Sequence, residues 1–280
     1  MTDHILYHAD ARDLSFIKDK SVHLVLTSPP YFNLKEYCKG QNQLGIIDDY
    51  QQFVDELEKV WKECYRILVP GGRIVCVVGD VCLSRRVYGR HVVMPLHSDI
   101  AVSCRKIGFD NLNPILWHKI SNASFEANTN SSILGKPFEP NAIIKNDIEY
   151  ILMERKPGGY RKPTERQRDE SRIGKEDFLQ WFSQIWELPG ASTKNGHPAP
   201  FPLELATRLI KMFSFVDDVV LDPFSGSGTT MLAAINTGRN SIGVEVEELY
   251  CHSSLHRLDS ANSLFSNFKL SYIDILHNMK

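Results

Sequence analysis

The 280-residue chain has no apolar run approaching the roughly 20 residues that cross a bilayer, and its start, Met1-Thr2-Asp3-His4, lacks the basic and apolar stretches of an export signal. A cytosolic protein without a membrane partner is expected. Six cysteines (Cys38, Cys64, Cys76, Cys82, Cys104 and Cys251) form no Cys-x-x-Cys pair and no Cys/His quartet at zinc spacing. They are read as reduced thiols in or near a core, and no metal is expected. The G-x-G-x-x-G dinucleotide fingerprint is missing, as is a phosphate loop ending in Gly-Lys-Ser/Thr. A surplus of positive charge is missing too, since 32 Lys and Arg against 34 Asp and Glu leave a net charge of -2.

What charge there is, however, is concentrated. Between Arg155 and Lys175 stand eight basic residues (Arg155, Lys156, Arg161, Lys162, Arg166, Arg168, Arg172, Lys175) and three acidic ones, so this segment is +5 and the remainder -7. A basic run is either a solvated surface or a phosphate-contacting one. A smaller cluster, Arg85, Arg86 and Arg90, follows the apolar strand Ile74 to Val78. With 42% hydrophobic and 24% charged residues, the composition suits one globular α/β domain carrying a sizeable insertion.

Two strand-to-turn motifs carry the chemistry. The apolar run Val22 to Leu26 enters Thr27-Ser28-Pro29-Pro30-Tyr31. Two prolines fix φ and remove two backbone donors, which leaves free carbonyl acceptors beside an aromatic ring. Such a cluster can hold a planar amine. Far along the chain, Val219 to Asp222 enters Pro223-Phe224-Ser225-Gly226-Ser227-Gly228-Thr229-Thr230 and then a helix ending near Gly238. Glycines there let the backbone approach a ligand, and the amides opening the helix point at it. The next strand, Ser241 to Val244, ends on Glu245, placed to accept hydrogen bonds from ribose hydroxyls. Asp222 with these amides suits a ligand bearing both an ammonium and a carboxylate, as S-adenosylmethionine does.

Periodicity supports an α/β reading. Tyr50, Phe53, Val54, Leu57, Val60, Trp61, Cys64 and Leu68 recur at three- and four-residue steps, predicting a helix over residues 48–67. Pro70-Gly71-Gly72 then turns the chain into a strand from Arg73 to Val78. Leu203, Ala206, Leu209, Ile210 and Phe213 predict another helix opened by Pro202. Residues 121–135 and 157–172 show no sustained period and are expected to be loops with a functional role or none.

In its two motifs and their order, the chain resembles the amino-methyltransferases of DNA, in the permuted β group where the catalytic motif precedes the cofactor motif. Tyr7 to Leu14, Leu68 to Arg73, Ile115-Leu116-Trp117-His118-Lys119 and His197-Pro198-Ala199-Pro200-Phe201-Pro202 resemble further blocks of that family. The resemblance implies a doubly wound, mostly parallel seven-stranded sheet. It also implies S-adenosylmethionine as methyl donor and the exocyclic amine of a flipped base in double-stranded DNA as acceptor, with a restriction endonuclease as a further partner. It assigns Ser28, Pro29, Pro30 and Tyr31 to catalysis. To the cofactor it assigns Asp10, Ala11, His197, Phe201, Pro202, the stretch Asp222, Pro223, Phe224, Ser225, Gly226, Ser227, Gly228, Thr229 and Thr230, and Glu245. DNA contacts are expected from Arg85, Arg86, Arg90, Lys119, Arg155, Lys156, Arg161, Lys162, Arg166 and Arg168. Trp117 reads either as a wall of the base pocket or as a buried strand residue.

The expected division is a catalytic part over 1–119, a strand with an inserted target-recognition region over 120–195, the cofactor part over 196–260 and an extension over 261–280. Ser28 stands where the family commonly carries Asp or Asn, a variant that goes mostly with cytosine N4. Adenine N6 is the alternative within the family. A non-DNA amine acceptor would carry Asn before Pro-Pro-Tyr, and a binder without activity would have lost motif residues.

Overall fold

A computed structural model of the chain describes residues 1–32, 43–83, 85–119, 140, 144, 146–190, 201–265 and 268–277, without the side chains of 86, 87 and 262–265. In chain order the first half contains β1 (Thr2–His8), β2 (Val22–Thr27), α1 (Tyr50–Ile67), β3 (Leu68–Val78), β4 (Val81–Leu83), α2 (Arg85–Tyr88), β5 (Val92–Met94), α3 (Leu96–Ile107), β6 (Asp110–Asn111) and β7 (Ile115–His118). The second half contains β8 (Ile148–Arg155), α4 (Glu165–Glu170), α5 (Lys175–Trp181), β9 (Ile185–Glu187), α6 (Leu203–Phe213), β10 (Val219–Asp222), α7 (Thr229–Asn236), β11 (Asn240–Glu245), α8 (Glu248–Phe265) and β12 (Phe268–Asp274).

One sheet runs through the described residues in the order β12-β1-β11-β10-β2-β3-β8-β7-β9, with β6 beside β8. From β12 to β3 every pairing is parallel, and β8 is antiparallel to β3. The expected seven strands are the row from β1 to β7; β12, β9 and β6 extend it. Helices cover both faces. Along β3, Ile74, Cys76 and Val78 face the cluster containing α1 and α3, whereas Val75 and Val77 face α6 and α7. Burial on both sides is why these strands read as continuous apolar runs.

Helix α1 forms because its apolar stripe meets the sheet. Phe53, Leu57, Val60, Trp61, Cys64 and Ile67 are buried along it, and each large one contributes about 1.5–3 kcal/mol. Asp49 caps it by accepting from the Gln52 amide at 2.8 Å, so the helix begins at Tyr50 rather than 48.

Three expectations change. The strand expected from Arg73 already pairs at Leu68, and the extra residues Pro70-Gly71-Gly72 are absorbed by a register shift between Val22 and Leu24. The stretch 157–172 contains α4, started by a reciprocal capping box between Thr164 and Gln167. The boundary at 260 falls inside α8, and the stretch beyond it supplies β12 to the same sheet.

The connections set the location of the site. From β10 the chain moves through α7 to β11 on one side, whereas from β2 it moves through α1 to β3 on the other. Between β10 and β2 the winding reverses, and a crevice opens there at the carboxyl ends.

Candidate active site

A cleft of about 750 Å³ occupies that crevice. Its walls are the segments leaving four parallel strands: Asp10 and Ala11 after β1, Ser28 to Tyr31 after β2, Pro223, Phe224 and Gly226 after β10, and Glu245 ending β11. The structure thus brings both sequence motifs into one cavity, although about 190 residues separate them. Gln43, Leu44, Gly45, Glu247 and Tyr250 complete the lining without having been read from the sequence. Glu247 had a legible signal, since it is a second acid two residues after Glu245.

Glu245 is 8% exposed and accepts from the amides of Gly226 at 2.8 Å and Glu247 at 2.9 Å. Burial pushes its carboxyl up to about 7, against the pull of those two amides and with repulsion from Asp222 and Glu247. Asp10, Glu245 and Glu247 give the cleft a negative lining that suits a cationic ligand. The Asp10 charge is offset by Arg12, itself tied to Glu56 of α1 at 2.8 Å. At the opening of α7, Gly228 takes a left-handed φ of 74°, and a Cβ there would strike the Ser254 hydroxyl.

Asp222 departs from the expected role. Its carboxylate turns inward instead of lining the cleft, accepting from Thr27 at 2.7 Å, Thr230 at 2.6 Å and the Phe224 amide at 3.1 Å. Burial raises it to about 6 despite these donors. It is a positioning residue, joining the end of β2, one step before Ser28, to the start of α7. Ser225, Ser227, Gly228, Thr229 and Thr230 likewise stand behind the cleft; Ser227 and Thr229 are held by Arg257 of α8 at 3.0–3.3 Å. Phe201 packs on the α6 core and Pro202 caps α6, so neither faces the cavity, and His197 lies outside the described residues.

Tyr31 is fixed from β8, two strands from β2 at the same end of the sheet. Its hydroxyl donates to Glu149 of β8 at 2.8 Å, and Lys119 pairs with the same carboxylate while lying over the Trp117 ring. No sequence signal marks Glu149, which is 118 residues from Tyr31. Trp117 itself is 1% exposed and donates to the Leu188 carbonyl at 2.9 Å, so it belongs to the core.

The basic residues divide between the two ends of the sheet. Arg85 and Arg90 are exposed beyond the carboxyl end of β3, on the side of the cleft, with Lys119 at that same end; the Arg86 side chain lies outside the described residues. The segment from Arg155 lies at the other end, because β8 runs antiparallel to β3 and delivers Arg155 opposite Arg73. That is about 20 Å away for a six-residue strand at roughly 3.3 Å per residue. There Arg155 pairs with Asp110 at 2.9 Å, Arg161 with buried Asp218, and Arg166 with Asp217 and Glu170, while Lys162 and Arg168 are exposed. Lys156 is buried, donating to the Tyr65 and Leu68 carbonyls at 2.6 and 2.8 Å where α1 ends. Arg155, Arg161, Arg166 and Lys156 brace that end of the sheet, and Lys162 and Arg168 face solvent there.

Known proteins resemble the chain in sequence and fold. The Type II methyltransferase M.MjaI of Methanocaldococcus jannaschii is 41% identical, with 88% of each chain covered. The DNA adenine methyltransferase YhdJ of Escherichia coli is 29% identical over 92% of this chain and 83% of its own. The Thermus thermophilus protein TTHA0409, solved in complex with S-adenosyl-L-methionine, superposes with a TM-score of 0.80 at 52% identity, covering 97% of this chain and 98% of that one. The pattern of the N6/N4 DNA methylases matches residues 22–256, and by that match the chain belongs to the DNA methylase family.

Proposed function

We propose that this DNA methyltransferase uses S-adenosylmethionine to methylate the exocyclic N4 of a cytosine flipped out of double-stranded DNA. The observation that carries the reading is the shared cavity of Ser28 to Tyr31 with the acid-lined wall of Asp10, Glu245 and Glu247. The acids suit a cationic sulfonium and ammonium, and Glu245 suits two ribose hydroxyls. S-adenosylmethionine, when bound, supplies an electrophilic methyl group.

Everything else falls to the chain. An aromatic exocyclic amine delocalises its lone pair into the ring and is a poor nucleophile until acceptors hold its hydrogens and favour a pyramidal nitrogen. Ser28 Oγ and the Pro29 carbonyl are those acceptors, and they accelerate the reaction to the extent that they grip the transition state more tightly than the substrate. The methylated ammonium is acidic enough to lose its proton without a strong base. Tyr31 provides the ring on which an extruded base stacks, and Glu149 holds that ring in place. Arg85 and Arg90 are exposed cations on the cleft side for the phosphate backbone, whereas Lys119 is held by Glu149.

Ser28 in place of Asp or Asn favours cytosine N4; adenine N6 is the second reading, supported by the likeness to the E. coli adenine enzyme. A restriction endonuclease as partner belongs to the same reading. Among the described residues no helix is long and apolar enough to cross a membrane. Sequencing genomic DNA of a methylation-free host expressing the chain, by a method separating N4-methylcytosine from N6-methyladenine, tests the reading. N4-methylcytosine at one recurring motif supports it, and N6-methyladenine transfers it to the second reading.

A further inference from the structure

Behind the wall of the cleft, the end of β12 folds over the end of β1. His8 and Asp274 are register partners, and the amides of Ile275 and Leu276 both donate to the His8 carbonyl, at 3.1 and 3.3 Å. The resulting turn carries His277 back over the strand. Among the described residues, His8, Asp274 and His277 bring three potential ligand atoms within 4.8 Å of one another.

His8 is 5% exposed, and its two ring nitrogens face different neighbours. Nε2 lies 3.1 Å from the Val246 carbonyl, which can only accept, so Nε2 carries the hydrogen. In neutral imidazole Nδ1 is then a lone pair, and it points at Asp274 Oδ1 from 3.0 Å. The same Asp274 Oδ1 also accepts the His277 amide at 3.1 Å, which fixes the carboxylate between the two histidines. Asp274 Oδ2 meets the second histidine, His277 Nδ1, at 2.8 Å. A backbone carbonyl holding the far nitrogen is the usual outer support of a metal-bound histidine.

We propose that His8 Nδ1, Asp274 and His277 Nδ1 form a site for a borderline divalent transition-metal ion, with zinc as the type and water completing the coordination. Ligand bonds of about 2.0–2.2 Å put two ligands of one tetrahedral ion about 3.3–3.6 Å apart. Metal uptake requires the exposed His277 side chain to move by about 1 Å, closing the present spread of up to 4.8 Å and opening the two short contacts to that range. The ion would tie β1, β12 and the exit of β11 together, directly behind Ala9 and Val246 of the cleft wall. It does not touch the reacting groups, and the inference is independent of which base is methylated.

The test uses tag-free, chelator-treated protein titrated with Co²⁺ alone. One equivalent is expected to bind, giving d–d absorption without a thiolate-to-cobalt charge-transfer band and raising Tm. His277→Ala, at an exposed position, and Asp274→Asn are expected to weaken uptake at least tenfold. The proposal is overturned by an absence of uptake. It is equally overturned by uptake that His277→Ala leaves unchanged, or by a charge-transfer band that moves the ion to a cysteine.

Discussion

Replacing Glu245 by Gln separates its charge from its shape, and the structure sets the size of the effect. Both carboxylate oxygens already accept a backbone amide, from Gly226 and Glu247. A glutamine supplies one oxygen and one NH₂ group, so one amide is left facing a donor, and ribose hydroxyls lose a charged acceptor. A hydrogen bond to a charged group contributes about 1.5–3 kcal/mol, so S-adenosylmethionine affinity should fall about tenfold to a hundredfold. The wild-type affinity should itself depend on pH. With the carboxyl raised to about 7, ionisation is nearly complete at pH 8 and only about one part in eleven at pH 6. Binding should therefore weaken up to about tenfold over that interval, while Glu245→Gln should be flat.

Stability of the free protein runs the other way. Because the folded pKa lies above the ordinary 4.5, the folded state holds the proton more tightly. The stability it contributes is present below pH 4.5 and is lost as pH rises through about 7. Calorimetric titration of both proteins at pH 6, 7 and 8 gives the answer. A wild type without pH dependence, or a Gln variant that retains it, refutes the placement of the ribose on Glu245.

Further outcomes follow from the same geometry. Ser28→Ala should lower turnover while leaving Tm and S-adenosylmethionine affinity near wild type, because Pro29 and Pro30 still set the turn; thermal melting and single-turnover rates check this together. Tyr31→Ala should lose about 1–3 kcal/mol of base stacking and be partly rescued by a mismatch at the target, whereas Ser28→Ala should not. Lys156→Met should destabilise the fold by about 1–3 kcal/mol through the orphaned Tyr65 and Leu68 carbonyls, without altering the salt dependence of DNA binding. Neutralising Arg85 and Arg90 should flatten that dependence by a slope of about 0.9 per lost phosphate contact, read from affinities across a salt series.

The cleft was legible because its residues belong to local motifs: a strand ending in Pro-Pro-Tyr and a strand entering Gly-x-Gly each state their backbone geometry within a few residues. Glu149 was not, because it reaches Tyr31 only through the pairing of β3 with β8, which no local pattern encodes. The location of the basic stretch was not legible for a related reason. Charge is visible in sequence, but the end of the sheet it occupies depends on the antiparallel direction of β8, and Arg161 and Arg166 are answered by Asp217 and Asp218, some fifty residues away. Asp222 was found, yet its direction was misjudged, since only the fold brings Thr27 and Thr230 to its two oxygens. His8 and Asp274 are 266 residues apart and meet only through β12.

The most direct test of the central claim is mass analysis of nucleosides from duplex DNA methylated by the purified chain with isotopically labelled S-adenosylmethionine, with Ser28→Ala as a parallel sample. The label should appear in N4-methylcytosine and fall sharply in the variant. Label in N6-methyladenine, or equal incorporation by the variant, would contradict the assignment of Ser28 and its cytosine.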